Sequence, residues 1–433
     1  MDLLTASFPL QRPPPVSRAV SSALSAVSAE RLVAVLQELI AVPSVTGTPE
    51  ESEAQHLLAR RLDALGMEPD LWQIDLAATT ADPDFPGMEA PRDQAWGLTG
   101  SFGAPDGPTL VLNGHIDVVP TGALSAWSAE PWAGTVRDGH VYGRGACDMK
   151  GGLACQLIAI EVLRDAAVPL RGRILFESVV GEEDGGLGTF ATLRRGYAGD
   201  VAVVCEPTSA NLVPAAAGAL TFRITVPGRS VHASVRTEGV DALDKYLLVH
   251  QALRALETRR NRDVHPLMVR YDLPYPLSVG TLRAGDWASS VPDAVVAEGR
   301  LGVALGENPV SARRELEDCL ASLCADDPWL SRHPVTVEWY GGQFAPGMLA
   351  ESSPLPGLVS RAHQQVHGNV PEVYGVPYGS DLRLLTAGGV PTVHYGPGDV
   401  RKAHAPDECV PIDELVKVTQ TLVLLAAQVC GVR

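Results

Sequence analysis

The sequence predicts an α/β protein in two pieces, with a smaller α+β domain inserted between them. Three observations carry this. Short, continuously apolar strands alternate with helical segments over residues 109–205, as in a sheet covered on both faces. Over 216–342 the strands turn to period two, Leu220 to Val226 (LTFRITV) first among them. After Trp339-Tyr340-Gly341-Gly342 the α/β character returns and runs to the end. The expected domains are 29–215 with 343–433, and 216–342. Residues 1–28, with Pro13-Pro14-Pro15 and a Ser/Ala-rich stretch, read as a flexible arm, or as a short helix from near Ser17.

The elements follow in order. Ala29 to Leu39 has apolar residues at helical spacing, and Pro43 stops it. Glu50 to Leu65 is a second amphipathic helix, closed by Gly66. Asp75 to Trp96 is polar, carries three prolines and reads as a long loop. Thr109 to Leu112, Arg173 to Val180 and Val201 to Cys205 are strands; Leu153 to Leu163 and Gly188 to Arg195 are helices. In the inserted domain, Val240 to Leu256 and Ser311 to Leu323 are helices, and Leu277 to Arg283 and Ala294 to Val303 are strands. Leu355 to His367, Leu382 to Thr386 and about 412–429 are helices, with a strand at Val393-His394-Tyr395.

Composition excludes several classes. Hydrophobic residues make up 45% and charged residues 20%, an ordinary globular balance that rules out a mainly disordered chain. Lys plus Arg number 34 against 51 Asp plus Glu, a net charge of −17, which repels phosphate backbones and predicts no nucleic-acid partner. No apolar run reaches the ~18 residues of a membrane span, and no basic, then apolar leader opens the chain. Seven scattered cysteines without a CxxC pair fit reduced thiols in a cytoplasm.

Five segments gather His, Asp and Glu at the ends of predicted strands. In Asn113-Gly114-His115-Ile116-Asp117, His115 and Asp117 point the same way on an extended backbone. That suits an imidazole on a metal and a carboxylate that orients it; alone it reads as well as a loop histidine bonded to a carboxylate. In Gly143-Arg144-Gly145-Ala146-Cys147-Asp148-Met149-Lys150-Gly151-Gly152, Asp148 either bridges cations or caps the following helix. Glu182-Glu183-Asp184 after an apolar strand repel one another unless a positive charge sits among them; otherwise they form a solvated acidic turn. Their glycines do not complete GxGxxG, which argues against a dinucleotide loop. Cys205-Glu206-Pro207-Thr208 and Ala403-His404-Ala405-Pro406-Asp407-Glu408 complete the set. Active sites of open α/β sheets collect at the carboxyl ends of strands. Two His and three carboxylates, with no thiolate required, suit a pair of cations such as Zn²⁺.

The segments GHIDVVP, GRGACDMKGG, GEEDGG, CEPT and AHAPDE, in this order and spacing, resemble the co-catalytic dizinc amidohydrolase and exopeptidase family. That family includes acetylornithine deacetylase, succinyl-diaminopimelate desuccinylase, aminoacylase and carboxypeptidase G. The resemblance implies a mixed-sheet catalytic domain of phosphorylase/hydrolase-like type, with the insert as a lid and dimerisation domain. It implies two Zn²⁺, with Co²⁺ or Mn²⁺ as substitutes. His115 and Glu206 would hold one, Glu183 and His404 the other, and Asp148 both. Asp117 would orient His115, and Glu182 would be the general base. His232, in Gly228-Arg229-Ser230-Val231-His232-Ala233-Ser234, would polarise the scissile carbonyl from a partner subunit, which implies a homodimer. Arg383 of Tyr378-Gly379-Ser380-Asp381-Leu382-Arg383, or Arg300, would pair with a substrate carboxylate, and Gly396 and Gly398 would line the pocket. Many relatives carry Asn and Arg where this chain has Ser289 and Gly302, with Arg300 two residues earlier on the same strand face. The implied reaction is hydrolysis of the amide of a small N-acyl amino acid or related N-acyl amine, with dipeptide cleavage as the alternative.

Overall fold

The computed structural model describes residues 16–433. In chain order its helices are α1 (Arg18–Ser25), α2 (Ala29–Ile40), α3 (Pro49–Ala64), α4 (Leu76–Thr80), α5 (Lys150–Asp165), α6 (Leu187–Arg194), α7 (Ala242–Arg260), α8 (Pro309–Asp326), α9 (Leu355–His367), α10 (Leu382–Ala387) and α11 (Ile412–Cys430). Its strands are β1 (Asp70–Gln73), β2 (Trp96–Gly103), β3 (Thr109–His115), β4 (Thr135–Arg137), β5 (His140–Tyr142), β6 (Arg173–Val179), β7 (Val201–Val204), β8 (Leu212–Ala216), β9 (Gly218–Pro227), β10 (Leu277–Ala284), β11 (Ala294–Val303), β12 (Thr336–Phe344), β13 (Gly347–Met348), β14 (Val373–Val376), β15 (Thr392–His394) and β16 (Cys409–Pro411). No single helix among the described residues is long and apolar enough to cross a membrane.

Two compact units result. One holds the chain up to Ala215, then Met348–Tyr374 and Ser380–Arg433; the other holds Ala216–Gly347 with Gly375–Gly379. The expected end of the insert at 342 falls inside β12. There the register against β9 slips between Trp339 and Gln343, and Gly341 takes a φ of +63°. The glycine pair that reads as a break is a bulge within a continuing strand.

In the first unit the main sheet runs through β1-β2-β6-β3-β7-β15-β8. Strands β6, β3, β7 and β15 are mutually parallel. Every residue of β3 and β7 is buried; side chains alternate between faces, so both faces are covered. Helices α1, α2, α5, α9 and α11 pack on one another, while α6 packs on β6 and α10. A small sheet, β16-β5-β4, joins the stretch before Gly143 to the stretch after Glu408.

Residues 1–15 of the expected arm lie outside the described residues. Its later part includes α1, whose first turn is capped by Ser17 Oγ on Val20 N at 3.3 Å. Val20 and Ala23 join the core and α1 packs on α11. The polar loop expected over 75–96 holds α4, capped by Asp75, and runs back into the protein at Arg92, which is buried.

The second unit is the α+β body that the period-two strands predict. Its sheet, β10-β11-β9-β12, is antiparallel throughout. Leu220, Phe222, Ile224 and Val226 point inward at every second position and meet Val249, Leu253 and Leu256 of α7 and Leu316 and Leu320 of α8.

One packing feature predicts acid sensitivity. His363 and His367 on α9 stack at 3.9 Å, and His363 Nδ1 lies 2.8 Å from the Tyr395 hydroxyl. Burial holds both below the usual value, and the His363 and Lys417 charges help bring His367 down to about 4, with Asp413 opposing. The folded state thus resists a proton that the unfolded chain accepts near 6.5. Their contribution is intact above pH 6.5 and is lost as pH falls from there through 4. Thermal melts in steps across this window should show a shallower fall for His367→Gln than for the parent. Parallel curves would show that the pair does not titrate with unfolding.

Candidate metal centre

Each parallel strand of the first unit delivers a polar residue at its carboxyl end. β3 ends on His115, β6 leads into Gly181-Glu182-Glu183, and β7 leads into Cys205-Glu206. The loop before α5 brings Asp148, and the loop before β16 brings His404. His115 Nε2 stands 3.1 Å from Asp148 Oδ1 and 3.8 Å from Glu206 Oε1. His404 Nε2 stands 3.4 Å from Asp148 Oδ2 and 3.1 Å from Glu183. Asp148 therefore lies between two imidazoles, one on each carboxylate oxygen. Donor atoms of His115, Glu182 and Glu206, and those of His115, Asp148 and Glu183, lie within 4.8 Å of one another and could hold metal ions.

The helix-cap alternative for Asp148 has no support in this geometry. The residue that enters α5 is Met149, and no side chain caps that turn. The Asp148 main chain is fixed from elsewhere: Glu408 Oε1 accepts from Cys147 N at 2.9 Å and Asp148 N at 3.0 Å. Glu408 Oε2 is held in turn by Arg144 Nη1 at 2.5 Å, and both side chains are buried. Arg144 and Glu408 stand inside quoted motifs, yet spacing alone assigns them no role. Their separation of 264 positions hides the pair.

Asp117 orients His115 through its backbone. Nδ1 of His115 lies 2.9 Å from the Asp117 carbonyl, against 3.8 Å from the carboxylate. A carbonyl only accepts, so Nδ1 carries a proton whatever Nε2 does; without metal Nε2 is protonated as well and donates to Asp148, and on giving up that proton it would offer its lone pair to an ion. The Asp117 carboxylate serves the acidic loop instead. It accepts from Glu182 N and Glu183 N, both at 3.2 Å, and from Thr46 Oγ1 at 2.9 Å.

Electrostatics favour a cation here. Burial pushes Glu182, Glu183 and Glu206 above the usual carboxylate range, and neighbouring carboxylates push further. Asp148 runs the other way: hydrogen bonds to His115 and His404 overcome its burial and hold it low. Hydrogen bonds to Asp148 and Glu183 overcome burial at His404 and raise it to about 11. Two imidazole protons thus offset a cluster of buried negative charge. A divalent ion takes over that task when ligands give up their protons. One Glu182 oxygen, Oε1, is buried without a hydrogen-bond partner. Oxygen and imidazole donors, an excess of carboxylate and an unsatisfied acceptor fit a metal pair.

The other residues singled out by sequence lie as follows. Arg383 is buried and its guanidinium bonds the carbonyls of Ser380 at 2.8 Å and Gly185 at 2.7 Å, so the substrate-anchor reading does not match its surroundings. Gly396 lets the chain pass close to the Glu206 loop, where a Cβ would meet Cys205 O at 2.3 Å. Gly398 has a φ of +91°, and a Cβ there would meet Cys147 Sγ at 2.6 Å. In the second unit His232 is exposed and bonds Ser234 Oγ at 2.7 Å. Ser289 lies beside it, its carbonyl accepting from Ala233 N. Arg300 is exposed on β11 with its guanidinium 5.9 Å from the Phe344 ring.

Comparison with known proteins identifies the family. The model of peptidase family M20/M25/M40 matches residues 111–428. N-formyl-4-amino-5-aminomethyl-2-methylpyrimidine deformylase of Halalkalibacterium halodurans is 29% identical over 428 residues, covering 93% of this chain and 95% of that protein. Succinyl-diaminopimelate desuccinylase of Methylibium petroleiphilum is 30% identical over 400 residues, covering 88% and 94%. Among solved structures, the dipeptidase Dug1p of Saccharomyces cerevisiae shares the fold with a TM-score of 0.76 at 15% identity, over 95% of this chain and 98% of that one. A family match across most of the chain, beside a cluster of side chains that could hold a metal, places this chain in peptidase family M20/M25/M40 as a metal-dependent hydrolase of amide bonds.

Proposed function

We propose that this enzyme removes a small acyl group from an N-acyl amine, using two divalent ions. The observation that carries the reading is Asp148 between the two imidazoles, one on each carboxylate oxygen. In this reading His115 and Glu206 hold one ion, Glu183 and His404 the other, and Asp148 both. Zn²⁺ suits the donors, and Co²⁺ or Mn²⁺ would substitute. Bound ions supply Lewis acidity, polarising the amide carbonyl and lowering the pKa of a water from 15.7 towards ~7.

The rest falls to the chain. Glu182 is buried, its backbone is held by Asp117, and one oxygen is unbonded. It takes a proton from the attacking water and returns it to the leaving amine. His115 keeps its tautomer through the Asp117 carbonyl. Arg383 binds backbone carbonyls, which leaves Arg300 as the other arginine proposed for a substrate carboxylate, and Gly396 and Gly398 would line the pocket by close main-chain approach. Deformylase and desuccinylase relatives support deacylation over dipeptide cleavage.

The reading includes a homodimer, with His232 of one copy serving the site of the other. Supporting it, α7 presents Leu243, Leu247 and Leu248 to solvent at 39%, 53% and 36% exposure, and β10 is an edge strand with Leu282 exposed. Leu247→Glu should yield a monomer by sedimentation and lower kcat by ~10²-fold, the loss of one oxyanion donor. A fully active monomer would remove His232 from the mechanism. A cytoplasmic setting is supported by seven unpaired cysteines.

The test is a panel of N-formyl, N-acetyl and N-succinyl amines, with and without an α-carboxylate, together with dipeptides. The protein is stripped by chelator and re-supplied with Zn²⁺ or Co²⁺. Metal-dependent release of amine from one acyl class is expected. Cleavage of dipeptides alone would replace deacylase by exopeptidase.

A further inference from the structure

We infer that Arg92 is a positioning residue for the acidic loop at 181–184, fixing Glu182 and Glu183 without touching the reacting atoms. The roles of those two glutamates rest on the proposed function above. Arg92 lies in the polar stretch between α4 and β2, yet its side chain is only 1% exposed. All five of its N–H donors are engaged. Nε and Nη2 reach the two oxygens of Glu51 at 2.9 and 3.2 Å. Nη1 and Nη2 reach the two oxygens of Asp184 at 2.9 and 3.0 Å. The remaining Nη1 proton reaches Ala90 O at 3.2 Å. One planar guanidinium thus makes two bidentate pairs, a geometry that lysine does not reproduce.

The two carboxylates carry this order to the loop. Glu51 Oε1 accepts from Gly181 N at 3.2 Å, and its Oε2 accepts from Gly47 N at 2.9 Å. Asp184 belongs to the loop itself, and its Oδ2 also accepts from Glu89 N and Ala90 N. Arg92 therefore grips the residue before Glu182 through Glu51 and the residue after Glu183 directly. From the other side, Asp117 holds the N–H groups of Glu182 and Glu183. Space is tight as well. Gly181 has a φ of +66°, and a Cβ there would meet Arg92 Nη2 at 2.9 Å. Without the guanidinium, two buried carboxylates would face each other beside an already acidic site, and the loop would open. Burial already pushes Glu51 up to about 7 and Asp184 above its usual range with Arg92 in place. Residues that hold ligand-bearing loops in place in this way carry ~10–100-fold of metal affinity or activity.

The test compares Arg92→Lys and Arg92→Met with the parent full-length protein. It reads urea midpoint, Co²⁺ absorption, Co²⁺ affinity in competition with a chelator, and kcat and KM separately. The expected result for Arg92→Lys is a folded protein with KM within threefold, kcat and the affinity of one Co²⁺ equivalent each down ~10–100-fold, and a changed cobalt spectrum. A merely structural ion pair would lower the urea midpoint and leave spectrum and kcat alone, which overturns the inference. Should Arg92→Met not fold, Arg92→Lys decides. The cobalt measurements need no substrate. A parent that hydrolyses nothing on the panel would sink the proposed reaction, while the spectrum and affinity still judge the clamp.

Discussion

Glu182→Gln should lower kcat by ~10³-fold, inside the ~10²–10⁴ range for general acid–base catalysis, while metal content and fold stay intact. The two side chains have the same shape, and a carboxamide does not accept a proton at neutral pH. Little structure is lost, because Oε1 of Glu182 makes no hydrogen bond within the protein. Its main-chain N–H stays on Asp117. Before metal is added, the variant should resist urea better than the parent near pH 7. Burial and the charges of Asp381, Glu206 and Glu183 disfavour an ionised Glu182 and outweigh the opposing His115 charge, and the amide removes that cost. Three readings decide the case: kcat, metal per chain and urea midpoint. Lost catalysis with two metals retained assigns Glu182 as the base. Lost metal would make Glu182 a ligand, since its donor atoms also lie among those of His115 and Glu206. A kcat within tenfold of the parent would move the base elsewhere.

What the sequence made legible, and what it did not, follows from range. A buried parallel strand announces itself locally, because both faces are covered and every position is apolar. The residues that end or follow it are then at the carboxyl end of the sheet, so strand ends alone point to His115, Glu183 and Glu206. Asp148 and His404 lie on loops, where no periodicity helps, and only their motifs pointed to them. His115 and Asp117 do meet, but through the Asp117 carbonyl and not its carboxylate. Two residues along an extended chain, carbonyl and carboxylate are both within reach, and the loop's N–H groups claim the carboxylate. The stretch around Arg92 reads as solvated because it is polar. Its arginine is instead buried against Glu51, 41 residues away, and Asp184, 92 away. Nothing local marks such a pair. Arg383 shows the same limit: a guanidinium suits a substrate carboxylate as well as backbone carbonyls, and only the fold says which lies nearby.

Asp148→Asn should abolish tight binding of the second metal equivalent and lower kcat by ~10³-fold or more. Asn keeps the shape and one oxygen but loses the charge. In the folded protein Asp148 presents Oδ1 to His115 and Oδ2 to His404, so each oxygen already faces the ligand group of a different proposed ion. An amide presents its oxygen to one side and N–H donors to the other, and donors repel a cation. The loss is therefore asymmetric: one ion stays, at His115–Glu206 or at Glu183–His404, and the other goes. Neither helix capping nor backbone geometry confounds this. No side chain caps α5, and the Asp148 main chain is held by Glu408 and Arg144 rather than by its own carboxylate. A calorimetric titration of stripped protein with Zn²⁺ should show two equivalents for the parent and one for the variant. Two equivalents of parental affinity in Asp148→Asn would leave a pair of independent mononuclear sites. Glu182 would then serve one ion only, and the bridging role given to Asp148 would have to be withdrawn.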